Sequence, residues 1–187
     1  MSWELPTTVI INGKEYGVET DYRDILDIIS HLEDVNEKEQ VNLYVALALF
    51  FCDFESIPQS DYARAIESLF WFINCGDIDT DSTPHPKRID WEQDQPLIVA
   101  DINKVAGCEI RALPYLHWWT FISYFNAIGE GQLYSIVAIR EKLRKGKKLE
   151  AWEKDFYQEN KRRIDFKPRY TQEEMEERER LEKLLGG

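Results

Sequence analysis

The chain has 187 residues, of which 43% are hydrophobic and 31% charged, a composition typical of a globular protein with its own core. It contains no run of the roughly 18 uninterrupted apolar residues that a membrane helix needs, and its start, MSWELPTT, does not resemble a signal peptide, so we expect a cytoplasmic protein without a membrane partner. The formal net charge is −12, with an acidic first half and a basic stretch at 140–169, and such blocks favour contact between copies or with a charged protein over nucleic-acid binding.

An N-terminal β-hairpin is predicted from the stretch TVIINGKEYGVET, in which Asn12-Gly13 separates two short β-branched runs. This dipeptide tolerates the positive φ angles of a tight hairpin turn. From Asp21 the apolar spacing changes to that of an amphipathic helix, which Thr20 or Asp21 can cap. The predicted buried stripe of this helix consists of Tyr22, Ile25, Leu26, Ile29 and Leu32.

Two further helices are predicted between residues 36 and 76. In the first of them, Asn36 and Glu39 have the spacing of a capping box, and the apolar residues run almost all round, so its C-terminal half should be buried. The next helix begins near Pro58 and ends at Gly76. Trp71 falls on its polar side, where it is either an exposed partner contact or part of a second packing face. The inner stripe consists of Tyr62, Ala65, Ile66, Leu69 and Ile73.

The next two predicted helices include the most aromatic part of the chain. One is capped by Asp90, has Pro96 in its first turn or at a kink, and ends at Gly107. The other contains YLHWWTFISYF, for which Pro114 indicates the start of a helix that is apolar on nearly every side. Such a helix is typical of the centre of a bundle. His117 lies on its narrow polar edge, and a single histidine there is more often hydrogen-bonded than catalytic.

Residues 131–187 are predicted to form charged helices. The first two are separated near Gly146, and the second has a thin apolar stripe of Leu149, Trp152 and Phe156. The last helix begins with a capping box of Thr171 and Glu174. Helices with so little apolar surface are marginal alone and dock onto a partner, onto another copy, or onto nothing. The candidate partner-binding residues are therefore Trp71, Trp152, Phe156, Tyr157, Leu181 and Leu185.

The cysteines and histidines show no metal-binding pattern. Cys52, Cys75 and Cys108 are odd in number and include no CxxC pair. The three histidines show neither HxxxH nor HExxH spacing. We therefore expect no disulfide framework, no metal site and no cofactor.

Three blocks of the sequence resemble a known family. The stretches IDWEQDQPLIVADINKVAG, YLHWWTFISYFNAIGEG and YSIVAIREKLRKGKKLEAWEKDFY occur in this order after INGKEYGVETDYRDIL. Together they resemble the bacteriophage gene-product-fifteen family of siphophages of Gram-positive hosts, over roughly Val9 to Phe166. The LHWW and GKKLE blocks are the more specific parts of this similarity.

The resemblance implies a non-enzymatic tail assembly chaperone. Such a protein would coat the long helical tape measure protein in the host cytoplasm until tail-tube subunits replace it, and it would be absent from the mature virion. Self-association and contact with the tail tube protein are further expectations. The family supplies no catalytic residues to transfer to this sequence.

The sequence as a whole predicts a mainly α protein: a helical bundle with a short N-terminal β-hairpin and extended C-terminal helices. The predicted divisions are 1–20 for the hairpin, 21–130 for the helical core and 131–187 for the charged helices. Two other functions stay open. One is a structural virion component, such as a tail-completion or head-tail connector protein. The other is a hydrolase using Asp90, Asp94 or His117, which would need a pocket that holds these groups together.

Overall fold

The computed structural model describes residues 3–77 and 86–185. The part described contains one two-stranded sheet and eight α-helices, so the prediction of a mainly α protein with an N-terminal hairpin is confirmed. None of these helices is long and apolar enough to cross a membrane. The helices are α1 (Tyr22–Leu32), α2 (Glu39–Phe50), α3 (Tyr62–Ile73), α4 (Gln95–Ala106), α5 (Trp118–Asn126), α6 (Gln132–Arg144), α7 (Ala151–Ile164) and α8 (Gln172–Leu185).

The hairpin pairs β1 (Thr8–Ile11) with β2 (Lys14–Gly17) in antiparallel register, with Ile11 opposite Lys14. Its turn has φ angles of 49° at Asn12 and 82° at Gly13, as a primed two-residue turn requires. Because side chains alternate along a strand, Ile11 is buried while Ile10 is largely exposed. The Asn-Gly signal therefore predicts both the turn and the register.

The chain divides into two compact units. Unit 1 comprises residues 1–5, 20–22 and 71–167, and unit 2 comprises residues 6–19, 23–70 and 168–187. Unit 2 contains the hairpin, most of α1, α2, most of α3, and α8. Unit 1 contains α4 to α7. The largest fully buried side chains of unit 1 include Trp118, Phe121, Phe72, Ile102 and Ile136.

Two details of the first helices differ from the prediction. Tyr22 and Ile25 of the predicted α1 stripe are buried, but Leu26 and Ile29 are only half-buried, and Ile28, which lies outside that stripe, is fully buried. Helix α2 begins at Glu39 without a capping box. The Asn36 amide nitrogen instead bonds the Asp34 carboxylate, and its oxygen accepts the backbone N–H of Gln172. A tertiary contact has thus replaced the local cap.

Helix α5 begins at Trp118, so the predicted start at Pro114 is wrong. The residues between them run alongside residues 20–22, where Tyr22 N–H donates to Leu116 O at 3.0 Å and Trp118 N–H donates to Thr20 O at 2.8 Å. This pairing gives the backbone N–H and C=O groups of the extended segment hydrogen-bond partners, which they would otherwise find within a helix. The proline signal was therefore overridden by a contact that is distant in sequence.

Helix α4 also begins later than predicted. Asp90 accepts the backbone N–H groups of Glu92 and Gln93, so it caps a separate turn, and the helix itself begins at Gln95. Pro96 lies in the first turn of the helix, where its missing N–H costs nothing. Gly107 ends the helix with a φ of 70°, as predicted for a glycine C-cap.

Candidate partner-binding surface

Arg140 on α6 holds together the polar part of the C-terminal helices. Its guanidinium donates two hydrogen bonds to the Asp94 carboxylate, at 2.6 and 2.9 Å. It also donates to the backbone oxygens of Arg163 and Ile164, each at 2.6 Å, and so satisfies carbonyl groups at the end of α7. Both Arg140 and Asp94 are buried, and the Phe166 ring lies 4.1 Å from the guanidinium carbon. This residue therefore fixes the end of α7 against the segment preceding α4.

A second ion pair fixes the start of α7. The Glu153 carboxylate accepts both the backbone N–H of Glu150 and the Lys142 ammonium of α6, the latter at 2.6 and 2.8 Å. Together with the Glu150 side chain, this forms a capping box at the first turn. These bonds, led by the one from Lys142, lower the pKa of Glu153. Helix α7 is thus held to α6 near its start and at its end.

Between these two anchors lies a small apolar cluster. Ile136 and Ile139 of α6 and Ile164 of α7 are buried together, and Phe156 and Tyr157 pack against them while partly exposed. The Tyr157 hydroxyl donates to Asp165, which raises the pKa of Tyr157. Both aromatic side chains therefore support the fold of unit 1, whatever further contacts they make.

Trp152 occupies a different position on α7. Its side chain is 59% exposed, next to the buried Glu153. A large aromatic side chain held on an anchored helix is a typical contact residue of protein interfaces. Of the predicted contact residues on this helix, Trp152 is the one most available to a partner.

The other predicted contact residues fall elsewhere. Trp71 is half-buried, with its ring 5.4 Å from that of Trp119 in an edge-to-face arrangement. It thus belongs to a packing face, one of the two roles left open by the sequence. Leu181 and Leu185 lie on α8, but their side chains are outside the part of the chain that the structure describes.

Two cavities in unit 1 share Arg88 as a lining residue. The first, of about 320 Å³, is apolar and is lined by Ile89, Phe125, Ile128, Leu133, Tyr134 and Val137. The second, of about 400 Å³, carries Lys87 and Arg144 as well as Leu143 and Phe166. We call the first cavity the apolar groove, and we call Lys87, Arg88 and Arg144 the basic rim.

The residues of the hydrolase alternative all have structural roles. Asp94 is paired with Arg140, and Asp90 pairs with Lys87 at 3.0 Å besides capping its turn. The His117 Nδ1 atom accepts the backbone N–H of Trp119, so this buried histidine is the N-cap of α5. Neither of the two cavities is lined by these three residues.

The described ranges, 3–77 and 86–185, contain no group of three or more His, Cys, Asp or Glu side chains that could hold a metal ion. Two of the three cysteines, Cys52 and Cys108, are exposed. Burial raises the pKa of the third, Cys75, to about 11, so its thiol stays protonated at neutral pH.

Sequence reasoning missed the two ion pairs that hold α7. The partners Asp94 and Arg140 are 46 residues apart, and Lys142 and Glu153 are 11 apart, so no local spacing connects them. One signal was available: Glu150 and Glu153 have the three-residue spacing of a cap at the start of a predicted helix.

Residues 1–166 match the family described as bacteriophage Gp15 protein. The chain belongs to this family. The resemblance read from the sequence blocks is therefore confirmed, and the family assigns the chain to the structural or assembly proteins of phages. The matched residues include α1 to α7 and end before α8. No match to the chain was found among curated proteins or among solved structures.

Proposed function

We propose that this Gp15 family protein is a tail assembly chaperone that binds and coats the tape measure protein while the phage tail is built. It acts without catalysis, in the cytoplasm of the host cell, and leaves before the virion is complete. Tail-tube subunits displace it from its client. Neither nucleic acid nor membrane is required for this role.

The observation that carries the proposal, beyond family membership, is the way α7 presents Trp152. The helix is anchored near its start by Glu153 and at its end by Arg140, and Trp152 is exposed between neighbours that are mostly charged. A helical client can lay an apolar stripe against such a side chain, and many weak copies along one long client give avidity without a deep pocket.

The experiment is affinity purification of the tagged protein from infected cells midway through assembly, with mass spectrometry of the eluate and of purified virions. Recovery of the tape measure protein, together with absence from virions, supports the chaperone. Stable presence in virions without enrichment of the tape measure protein contradicts it and indicates a tail-completion or connector component.

A substitution of Trp152 tests whether this side chain contacts the tape measure protein. Trp152→Ala is expected to lower recovery of the tape measure protein, because the substitution removes exposed apolar area without opening the buried cluster of α6 and α7. Trp3→Ala is the matched control, since Trp3 is 99% exposed and lies outside α7. Equal recovery with both variants would contradict the assignment of Trp152 as a client contact.

A further inference from the structure

The apolar groove of unit 1 has no occupant in the part of the chain that the structure describes. Its wall includes Tyr134, which is 59% exposed, and the half-buried side chains Ile89, Phe125, Ile128 and Val137. Half of the lining residues come from α6 and the end of α5, and the others come from the loop segments 88–89 and 128–129. A concave surface of this composition fits an apolar stripe of a helix.

The basic rim indicates the charge that an occupant of the groove should carry. Arg88 lines both cavities, is exposed, and forms no ion pair within the described residues. Lys87 and Arg144 lie on the second cavity beside it, each paired with an acidic neighbour. Arg88, which lines both cavities, carries a positive charge at the shared edge that is unpaired among the described residues, so an acidic segment is the complementary partner there.

Helix α8 has the matching composition. Its segment TQEEMEERERLEKLLGG contains six Glu against three Lys or Arg, with Leu181, Leu184 and Leu185 spaced for one helical face. The start is well formed, because Thr171 and Glu174 form the predicted capping box. Every side chain from Gln172 to Glu177 is exposed, including Met175. A helix with so little cover is marginal alone, so docking onto another surface would stabilise it.

We propose that α8 of one copy docks into the apolar groove of a second copy, with its Glu side chains against the basic rim. Each copy has one groove and one α8, so the two surfaces are present in equal numbers. Because each copy carries both surfaces, two copies that exchange α8 reciprocally form a closed dimer, and copies that dock head to tail form rings or open chains. This inference goes beyond the proposed function, because it needs no client.

The test is the molar mass of the full-length protein by light scattering across a concentration series. Two variants block one surface each: Tyr134→Glu places a charge in the groove, and Leu181→Gln with Leu185→Gln removes the apolar stripe of α8 while keeping good helix formers. Wild type is expected to grow in mass with concentration, and each variant alone is expected to stay a monomer.

Mixing the two variants gives the decisive result. The groove-blocked copy still has a functional α8, and the α8-blocked copy still has an open groove, so the mixture is expected to form a one-to-one dimer and nothing larger. Tyr44→Glu is the control, because Tyr44 is similarly exposed, at 55%, and lies on α2. Its oligomers should match those of wild type. Circular dichroism of each variant shows that the helices have formed.

Arg88→Glu tests the charge component. This substitution is expected to weaken the association and to remove part of its sensitivity to added salt, since exposed charges are screened by ions. A wild-type monomer at every concentration, an oligomer that Tyr134→Glu leaves unchanged, or a mixture that stays monomeric would each overturn the proposal.

Discussion

Replacing Arg140 with methionine is expected to destabilise unit 1 by about 3–5 kcal/mol, the range for breaking a buried ion pair by removing one partner. The guanidinium donates five hydrogen bonds, two to Asp94 and three to the backbone oxygens of Arg88, Arg163 and Ile164. Each buried acceptor left unpaired costs roughly 1–3 kcal/mol. Because Arg140 also lines a cavity, water can reach some of these groups, which keeps the total below the sum of the separate losses.

The assay is urea unfolding followed by tryptophan fluorescence. All six tryptophans of the chain fall within the residue ranges of unit 1, so their emission reports the unfolding of that unit. The control is Arg144→Met, which breaks the ion pair with Glu141 at the surface and should leave the midpoint unchanged. An unchanged midpoint for Arg140→Met would refute the assignment of Arg140 as the residue that holds α7.

A double variant separates the ion pair from the other contacts. Asp94→Leu combined with Arg140→Met removes both charges, so no unpaired charge stays buried. The double variant should therefore be more stable than the sum of the two single changes predicts, by at least about 1 kcal/mol. Strict additivity would mean that the two side chains do not interact.

Three further results are expected. Gly131→Ala should destabilise the protein by about 1–2 kcal/mol, because the new Cβ would lie 3.1 Å from a buried carboxylate oxygen of Asp101. Gly129→Ala is the control: its Cβ would have no atom within 4 Å, so its effect on the urea midpoint should be smaller. Glu153→Gln should be less stable than wild type at neutral pH. Because the pKa of Glu153 is lowered in the folded protein, the stabilisation by its carboxylate is present above its ordinary pKa of 4.5 and is lost as the pH falls through the lower folded-state value. The difference in urea midpoint between this variant and wild type should therefore narrow below pH 4.5, and a constant difference would contradict this. Cys75, with its pKa of about 11, should react with a thiol reagent at pH 8 far more slowly than in urea-unfolded protein; equal rates in a stopped-flow assay would show that the thiol is not protected.

The elements that the sequence predicts best are those set by local chemistry. Asn12-Gly13 specifies the hairpin turn, Gly107 ends α4, and Thr171 with Glu174 caps α8. Each signal operates within four residues of chain, so the remainder of the protein cannot easily reverse it.

The predictions that were wrong depended on contacts between distant segments. Pro114 does not begin α5, because residues 20–22 pair with the backbone on either side of His117. Asn36 does not cap α2, because the start of α8 takes its side-chain oxygen. Local propensity is a weak prior that such tertiary contacts override.

The candidate surface was only partly predictable. The structure leaves Trp152 exposed and packs Phe156 onto the isoleucine cluster, a difference that the thin stripe in the sequence does not show. That distinction depends on how α6 and α7 pack, and the packing depends on Arg140 and Glu153. Their partners are set by the tertiary fold and not by any spacing in the sequence.

The pairing of residues 20–22 with residues 116–118 has a consequence for synthesis of the chain. Asp21 accepts the backbone N–H of Leu116, a residue 95 positions later. At ribosomal rates, the early segment waits roughly 5–20 s for its partner to be translated. By the end of that interval much of unit 2, residues 23–70, has been synthesised. Unit 2 can therefore begin to form cotranslationally, while unit 1 is completed only after translation has passed residue 167.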